Sequence, residues 1–410
     1  MLSDLKLLSQ YFLRHKNSPY RRYFIQTTPF KHRLSLVLGQ RGVGKTTTLV
    51  QYLLDQTAQD IFDPSILYVQ VDHFQVSGIP LYDIAEQFYT MGGKILALDE
   101  IHKYLNWSQE LKSIYDTFPK LKVIVSGSSA LQMHKGSHDL SRRAIKYQLF
   151  GLSFREFLEL NYNIKQKAYS LSDILSNHQK IASQIVSTFE SINQKIIPLF
   201  QDYLKFGYYP YFIEINDEEL YFLTLEQNLH TTIESDLAAI YPHLTGSSIN
   251  KIKQLLIFIA RAVPFTPNWN TLKESLEIGD IRTLKTYFRY LEDAYLIRSI
   301  SKGNKKLSHM DSPEKVYLDN SNQIHALSAG ESNIGTVREI FFLNMLSTFH
   351  KVNLAPKGDF LVDEKYLFEV GGRTKHYNQI KDVPNSFLAC DAIEIGIGAK
   401  IPLWLFGFLY

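Results

Sequence analysis

The sequence has little cysteine, no long apolar run and no excess of charge of one sign. Its single cysteine, Cys390, excludes an internal disulfide and a zinc site built from several cysteines. No apolar segment approaches the roughly 18 residues of a membrane-spanning helix, and Met1-Leu-Ser-Asp-Leu-Lys lacks the basic region and apolar stretch of a signal peptide. We therefore expect a cytoplasmic protein with no membrane partner.

Charge and length bear on the class of partner and on the number of domains. Lysine and arginine number 44 against 41 aspartate and glutamate residues, so net charge alone does not indicate a polyanionic partner. A chain of 410 residues exceeds what a single hydrophobic core usually serves, so two or three domains are expected. The 45% of hydrophobic and 21% of charged residues are ordinary for a folded globular protein.

A glycine-rich segment follows an apolar run near the N-terminus. Gly39, Gly44, Lys45 and Thr46 fit the pattern G-x-x-x-x-G-K-[ST], between a predicted strand and a predicted helix. Such glycines let backbone N–H groups curl around phosphate oxygens, the lysine reaches the β and γ phosphates, and the hydroxyl holds Mg²⁺. The segment therefore predicts a site for ATP and Mg²⁺, with a chance glycine turn as the alternative. The predicted nucleotide contacts are Gly39, Gln40, Arg41, Gly42, Val43, Gly44, Lys45, Thr46 and Thr47.

A second informative segment, Lys94-Ile-Leu-Ala-Leu-Asp99-Glu100, is an apolar strand that ends in two acids. Beside a phosphate loop, Asp99 would fix Mg²⁺ through water, and Glu100 would orient and deprotonate the attacking water. Acids at such positions are also common helix N-caps, but the distance from the glycine loop in a β-α-β-α pattern favours catalysis. For His102 and Lys103 on the following turn, a surface or packing role is favoured over a catalytic one.

Two further groups complete the predicted catalytic set. Ser126 ends a predicted strand over 121–126, where its hydroxyl can sense the γ phosphate, although serine is also an ordinary turn residue. Arg142 and Arg143 precede a predicted strand over 145–149. A guanidinium near the γ phosphate would stabilise transition-state charge, and a solvated arginine pair is the equal alternative. The catalytic candidates are therefore Glu100, Lys45, Ser126, Arg142 and Arg143.

These segments together resemble the prokaryotic AAA+-type ATPases with a C-terminal domain of unknown function. The likeness covers nearly the whole chain, and four segments carry it: Gly39 to Thr46, Leu98 to Lys103, Val125 to Ala130, and Leu140 to Phe157. It implies that Asp99 and Glu100 form the Walker B pair, that Ser126 lies at the sensor position, and that Arg142 or Arg143 is the arginine finger. It also implies an additional strand between the phosphate-loop strand and the Walker B strand.

Five strands alternating with helices predict an α/β fold with a parallel sheet covered on both faces. We expect four parts. They are an AAA+-type P-loop ATPase core with a lead-in helix over 1–157, a helical lid over 158–245, a winged helix over 246–325, and a PD-(D/E)XK nuclease-like α/β domain over 326–410. In the lid, the aromatic run from Tyr203 to Phe212 favours core packing over the stacking of single-stranded bases.

The predicted winged helix carries a basic face. Its third helix, expected over 281–297, has an apolar side formed by Leu284, Phe288, Leu291 and Tyr295. The basic residues are Arg282, Lys285 and Arg289 on another side of that helix, with Lys302, Lys305 and Lys306 in the wing. Such residues suit phosphate contacts on DNA. Because winged helices of these ATPases also serve as packing or assembly modules, DNA, a protein partner and a homo-oligomer all stay open.

The last part of the chain follows the residue order of a PD-(D/E)XK nuclease. A helix acid, Glu339, precedes Asp359 in a hairpin and Glu369 on a strand, and the last two are candidate metal ligands for phosphodiester hydrolysis. The pattern departs at Gly371, which stands where a lysine is expected. Arg373 or Lys375 could substitute only from a displaced position.

The expected function is Mg²⁺-dependent ATP binding and hydrolysis that couples nucleotide state to the C-terminal domains, with DNA as a candidate partner. Two alternatives remain. One is a nucleotide-dependent switch or scaffold that recruits a protein partner, and the other is an ATP-gated DNA nuclease.

Overall fold

The computed structural model describes residues 2–128, 130, 140, 142–215, 217–302, 313–328, 333–377 and 380–410. The chain divides into two compact units. Unit 1 comprises Met1–Gly151 and Thr231–Thr245, and unit 2 comprises Leu152–His230 and Gly246–Tyr410. Within the described residues, no helix is both long and apolar enough to cross a membrane.

Unit 1 is built on a five-stranded parallel sheet. Its strands are β1 (Leu34–Gly39), β2 (Ile66–Gln70), β3 (Ile95–Asp99), β4 (Lys122–Ser128) and β5 (Ile145–Gln148). The order is β2-β3-β4-β1-β5, with every neighbouring pair parallel. Each residue of β1 is buried, as expected for a strand covered on both faces. The predicted α/β class is confirmed, and so is the additional strand, because β4 lies between β1 and β3.

The helices of unit 1 connect these strands. They are α1 (Leu2–His15), α2 (Tyr23–Thr27), α3 (Lys45–Gln56), α4 (Leu81–Thr90) and α5 (Trp107–Thr117). The predicted lead-in helix is α1, which packs against β2, where the Ser9 hydroxyl accepts the backbone N–H of Tyr68 at 3.0 Å. The chain returns to unit 1 as a π-helical segment, Thr232–Leu237, followed by α10 (Ala238–Ile240).

The first part of unit 2 is helical. It contains α6 (Phe154–Tyr162), α7 (Leu171–Glu190), α8 (Ile196–Phe206) and α9 (Glu218–Thr231), the last of which ends at the boundary with unit 1. A capping box between Ser153 and Glu156 starts α6. The aromatic run that begins in the last turn of α8 contributes to the core, with Tyr203, Tyr208 and Tyr209 each 2% exposed or less. The core role predicted for these rings is confirmed.

The described residues of 246–327 comprise four helices and a short hairpin. The elements are α11 (Gly246–Ala262), α12 (Trp269–Ser275), α13 (Ile281–Asp293), β6 (Ile297–Ile300), β7 (Lys315–Leu318) and α14 (Ser321–Leu327). Strands β6 and β7 are antiparallel, and Phe265 adds a backbone bridge to Val316. The Asp280 side chain caps α13 by accepting the Arg282 N–H at 3.0 Å.

Helix α13 differs from the prediction at its C-terminal end. It stops at Asp293 rather than at 297, because Tyr295 adopts a left-handed backbone with φ of 55° that no helix continues through. Leu284, Phe288 and Leu291 are buried as expected, whereas Tyr295 lies beyond the helix and is only partly buried. Arg282 and Arg289 are exposed. Lys305 and Lys306 of the predicted wing lie outside the described residues.

The C-terminal part of unit 2 contains helix α15 (Ile334–Ser347) and a mixed sheet. The strands are β8 (Val352–Leu354), β9 (Phe360–Val362), β10 (Tyr366–Gly371), β11 (Ser386–Cys390) and β12 (Lys400–Pro402). Their order is β12-β11-β10-β9-β8, in which β8, β9 and β10 are antiparallel neighbours while β10, β11 and β12 run parallel. A buried 3₁₀ segment, Leu403–Phe408, contributes to the core.

Candidate active site

The glycine-rich loop joins the end of β1 to the start of α3. A Cβ atom on Gly39 would lie 2.5 Å from the carbonyl oxygen of Leu149, so no other residue fits there without backbone movement. Gly44 has φ of 95° and forms the N-cap of α3, a conformation that glycine adopts at little cost. The loop therefore places the positive end of the α3 dipole beside the end of β1.

Lys45 lies inside this loop. Its side chain is buried, and Nζ donates to the carbonyl oxygens of Gly39 at 3.0 Å and Gln40 at 2.9 Å. The ammonium group is thus held by the same backbone that would surround a phosphate. A phosphate oxygen would replace carbonyl acceptors with a negatively charged one, which is the stronger partner.

Asp99, at the end of β3, is held by three hydroxyl groups. Its Oδ2 accepts from Thr46 Oγ1 at 2.7 Å and from Tyr68 OH at 2.6 Å, and its Oδ1 accepts from Ser126 Oγ. Asp99 is 1% exposed. Burial and the Asp99 carboxylate raise the pKa of Tyr68 far above its usual range, so the phenol remains a donor. The contact between Thr46 and Asp99 joins the phosphate loop to the acid-bearing strand.

Glu100 follows Asp99 in a left-handed conformation with φ of 58°. Its backbone N–H donates to Ser126 Oγ at 3.0 Å, so this hydroxyl links Asp99 to Glu100. Its carboxylate is partly exposed and lies with Oε2 3.4 Å from His102 Nε2. Left-handed backbone is unusual for glutamate, and it separates the direction of this side chain from that of Asp99.

Two contacts around the phosphate loop and Asp99 were not predicted from the sequence. Tyr68 contacts Asp99 from β2. The buried guanidinium of Arg22 donates to Val43 O of the phosphate loop at 2.9 Å, and also to Phe150 O at 2.8 Å and Gly151 O at 2.6 Å. In the sequence, Tyr68 is an ordinary residue of an apolar strand, and Arg22 is one of several basic residues near the N-terminus. Neither carries a local signal of its role.

Arg142 and Arg143 differ in their contacts. Arg143 makes a bidentate ion pair with Asp116 of α5, with Nε at 2.9 Å and Nη2 at 3.0 Å, and this partner raises the pKa of the guanidinium. Arg142 is exposed. The finger role of either arginine stays a prediction.

The acids predicted in the nuclease-like domain lie around the ends of β9 and β10. Glu339 on α15 accepts from Tyr317 OH at 2.7 Å, and Asp359 Oδ2 accepts the Val370 N–H at 2.7 Å. Burial raises the pKa of both carboxyl groups, and each is raised further by neighbouring acids. Glu369 is 1% exposed, and its Oε2 has no hydrogen-bond partner among the residues that the structure describes.

Gly371 leaves space that Lys375 fills. A Cβ atom on Gly371 would lie 2.6 Å from Lys375 Cγ, so the lysine stem passes directly over the glycine. Lys375 Nζ then lies 2.8 Å from Glu369 Oε1, and this contact raises the pKa of the ammonium group. Of the two displaced candidates, Lys375 is the one in contact with Glu369.

The donor sets of the two sites differ in what they can hold. The Thr46 hydroxyl and the Asp99 carboxylate are oxygen ligands of the kind that Mg²⁺ prefers, and they already meet at 2.7 Å. Across the part of the chain that the structure describes, no group of three or more His, Cys, Asp or Glu side chains is arranged to hold a metal ion. A cation between Asp359 and Glu369 would therefore need further oxygen ligands from backbone or water.

A glycine-rich loop between a parallel strand and a helix, with an Asp-Glu pair two strands away, defines the P-loop nucleotide-binding class. The comparisons agree for this part of the chain. Residues 31–158 match a family model described as AAA domain, and residues 197–333 match one described as domain of unknown function (DUF8612). Residues 31–158 are thus similar to AAA domains.

Several proteins without an assigned role are similar in sequence. An uncharacterized protein of Methanocaldococcus jannaschii is 29% identical over 61% of this chain and 53% of its own length, and a second from that organism is 22% identical over 77% and 66%. An uncharacterized protein of Haemophilus influenzae is 21% identical over 89% and 90%. The chain thus spans about half of the first relative and just under two thirds of the second.

Solved structures give weaker likenesses. AMPPCP-bound DnaA from Aquifex aeolicus shares 15% identity at a TM-score of 0.27, covering 64% of this chain and 82% of that one. PCH-2 of C. elegans shares 13% at a TM-score of 0.24, covering 72% and 66%. Scores of this size carry no argument about function.

Proposed function

We propose that unit 1 binds ATP with Mg²⁺ and hydrolyses it. The observation that carries this proposal is the hydrogen bond between Thr46 and Asp99, which brings the two oxygen groups needed for Mg²⁺ together beside the buried Lys45. When bound, Mg²⁺ would neutralise charge on the β and γ phosphates. Lys45 would bind these phosphates, and Glu100 would orient and deprotonate the attacking water. Ser126 would keep Asp99 and Glu100 in register through its hydroxyl.

Calorimetry and a turnover assay test this assignment. Lys45→Ala should abolish measurable ATP binding, since it removes the buried cation of the loop. Glu100→Gln should retain ATP binding and lose turnover. Lys120→Ala, an exposed lysine of unit 1, is the matched control and should behave as wild type. Equal ATP affinity for wild type and Lys45→Ala would refute the proposal.

We propose further that nucleotide state is coupled to the domains of unit 2, with residues 246–325 acting as a winged helix. Support comes from the three helices, the antiparallel hairpin and the exposed Arg282 and Arg289 on α13. Lys302 is paired with Glu314 at 3.4 Å, so it is less available to a phosphate. Stimulation of ATP turnover by duplex DNA, lost in Arg282→Ala with Arg289→Ala, would support DNA contact. Slow turnover that ignores DNA would favour a switch that recruits a protein partner or a second copy.

A second candidate function is metal-dependent phosphodiester cleavage by the acids of unit 2. The contact between Lys375 and Glu369 favours it, because it supplies the ammonium group that Gly371 lacks. Plasmid cleavage with Mg²⁺ or Mn²⁺ should then disappear in Asp359→Ala and persist in Asp363→Ala, a partly exposed hairpin acid paired with His350. Absence of cleavage by wild type with either metal would exclude this candidate.

A further inference from the structure

Asp236 is a buried acid that contacts both halves of the nucleotide site. It lies in the π-helical segment Thr232–Leu237 and is 3% exposed. Its Oδ1 lies 2.7 Å from Lys103 Nζ and 3.5 Å from Arg41 Nη1. Arg41 belongs to the glycine-rich loop, and Lys103 follows Glu100 by three residues. Burial alone would raise the pKa of Asp236, but its contacts with His102 and Lys103 outweigh burial and lower it, so the group is a carboxylate.

His102 stands between this carboxylate and Glu100. Its ring is buried, and Nδ1 accepts the backbone N–H of Ser128 at 3.3 Å. A ring nitrogen that accepts carries no proton, so the imidazole proton is on Nε2. Nε2 lies 3.3 Å from Asp236 Oδ1 and 3.4 Å from Glu100 Oε2, yet it makes no aligned hydrogen bond with either. A single N–H group therefore lies within reach of two carboxylates.

We propose that His102 and Asp236 are positioning residues that control whether the Glu100 carboxylate is free to orient water. When His102 Nε2–H donates to Glu100, that carboxylate is held back. When it donates to Asp236, Glu100 is released. This inference rests on the proposed ATPase function and deepens it.

Arg41 would couple the choice of acceptor for His102 Nε2–H to nucleotide binding. Its guanidinium is the cation that the loop contributes to Asp236, and its side chain is 41% exposed. Phosphates bound in the loop would attract Arg41 and weaken its contact with Asp236. With one cation withdrawn, Asp236 becomes the stronger acceptor for His102. Nucleotide binding thereby favours release of Glu100.

Three variants and a control test the inference through turnover. Asp236→Asn leaves Glu100 as the charged acceptor for His102, so kcat should fall about tenfold. ATP affinity should not fall, since Arg41 no longer has to leave a charged partner to reach the phosphates. His102→Asn keeps an acceptor for Ser128 and removes Nε2–H, so kcat should rise by about threefold or more. The double variant should match His102→Asn, since Asp236 acts through His102. Asp55→Asn, which removes the surface ion pair with Arg21, should match wild type.

Additive effects would overturn the inference. If Asp236→Asn lowers kcat by the same factor with and without His102→Asn, Asp236 does not act through the histidine. If Asp236→Asn does not fold, the increase expected of His102→Asn alone decides, and unchanged or reduced turnover in that variant contradicts the mechanism.

A spectroscopic measurement separates this inference from the ATPase proposal. In ¹⁵N-histidine-labelled protein, the His102 signals are identified by their absence in His102→Asn. The Nε2 signal should shift in both Glu100→Gln and Asp236→Asn, whether or not ATP is hydrolysed. A signal that moves in neither variant would overturn the inference, whereas absence of ATP turnover by wild-type protein would overturn the ATPase proposal whatever this signal does.

Discussion

Replacing Tyr68 with phenylalanine removes one of the three hydroxyl groups that hold Asp99. The bond is 2.6 Å long and its acceptor is a carboxylate that is 1% exposed. A hydrogen bond to a charged group contributes about 1.5–3 kcal/mol. Because the lost donor leaves a buried carboxylate less satisfied, we expect Tyr68→Phe to lower the free energy of unfolding of unit 1 by that amount. In a unit of this size the melting temperature would fall by about 3–12 °C.

The same change should weaken Mg²⁺ binding. Tyr68 and Thr46 share Asp99 Oδ2, so Tyr68 fixes the orientation of the group that would hold the cation. Loss of such an outer partner typically weakens metal affinity by about 10-fold or more. Titrating Mg²⁺ into the protein with ATP by calorimetry measures this effect, and ATP affinity without Mg²⁺ should stay unchanged.

Tyr104→Phe is the matched control. Tyr104 also donates to a carboxylate, that of Glu110 at 2.7 Å, but this pair lies between the turn after β3 and helix α5 and does not involve Asp99. It should cost less stability, since the group is more exposed, and it should leave Mg²⁺ affinity unaltered. If Tyr68→Phe melts as wild type and binds Mg²⁺ equally well, the assignment of Tyr68 as a support of Asp99 is refuted.

Three further outcomes follow from charged groups. Burial raises the pKa of Asp359, so its ionisation opposes folding; Asp359→Asn should stabilise unit 2 near pH 8 by about 1 kcal/mol, with the gain disappearing as pH falls toward about 4 in thermal melts. Despite burial, the pKa of Asp236 is lowered, so its ionised side chain stabilises the folded state above pH 3.8, the ordinary pKa of an aspartate, and this contribution is lost as the pH falls below 3.8. The loss of stability in Asp236→Asn should therefore shrink in acid, and a loss that stays constant down to about pH 2 would contradict this. Because Arg143 is engaged with Asp116, we expect Arg142→Ala to reduce ATP turnover more than Arg143→Ala, as measured by phosphate release.

The parts of the site that sequence reasoning identified are local in the chain. Gly39, Gly44 and Lys45 lie within seven consecutive residues, and the acid pair ends an apolar strand. Such segments carry their geometry with them, since a strand, a tight turn and a helix fix where the backbone N–H groups point. The α/β class followed from the alternation of these elements for the same reason.

The remaining contacts join residues that are far apart in sequence. Arg22 meets Phe150 and Gly151, and Tyr68 meets Asp99 across adjacent strands. No spacing rule relates such pairs, because their proximity depends on strand order and on how the helices pack. The contact between Lys375 and Glu369 is similar. The sequence predicted the gap and the candidates, but only the path of the chain after β10 brings one ammonium group to Glu369.

Asp236 is an intermediate case: the local sequence indicates its burial but not its partners. Ile233, Leu237 and Ile240 are buried apolar residues on either side of Asp236 in the chain. Such a pattern favours burial of the acid, and a buried acid requires partners. It does not identify them, since Arg41, His102 and Lys103 come from two other segments. The segment that contains Asp236 thus contacts both the glycine-rich loop and the turn after the Asp-Glu pair, which are separate in the sequence. The double variant of His102 and Asp236 tests whether they work as one site.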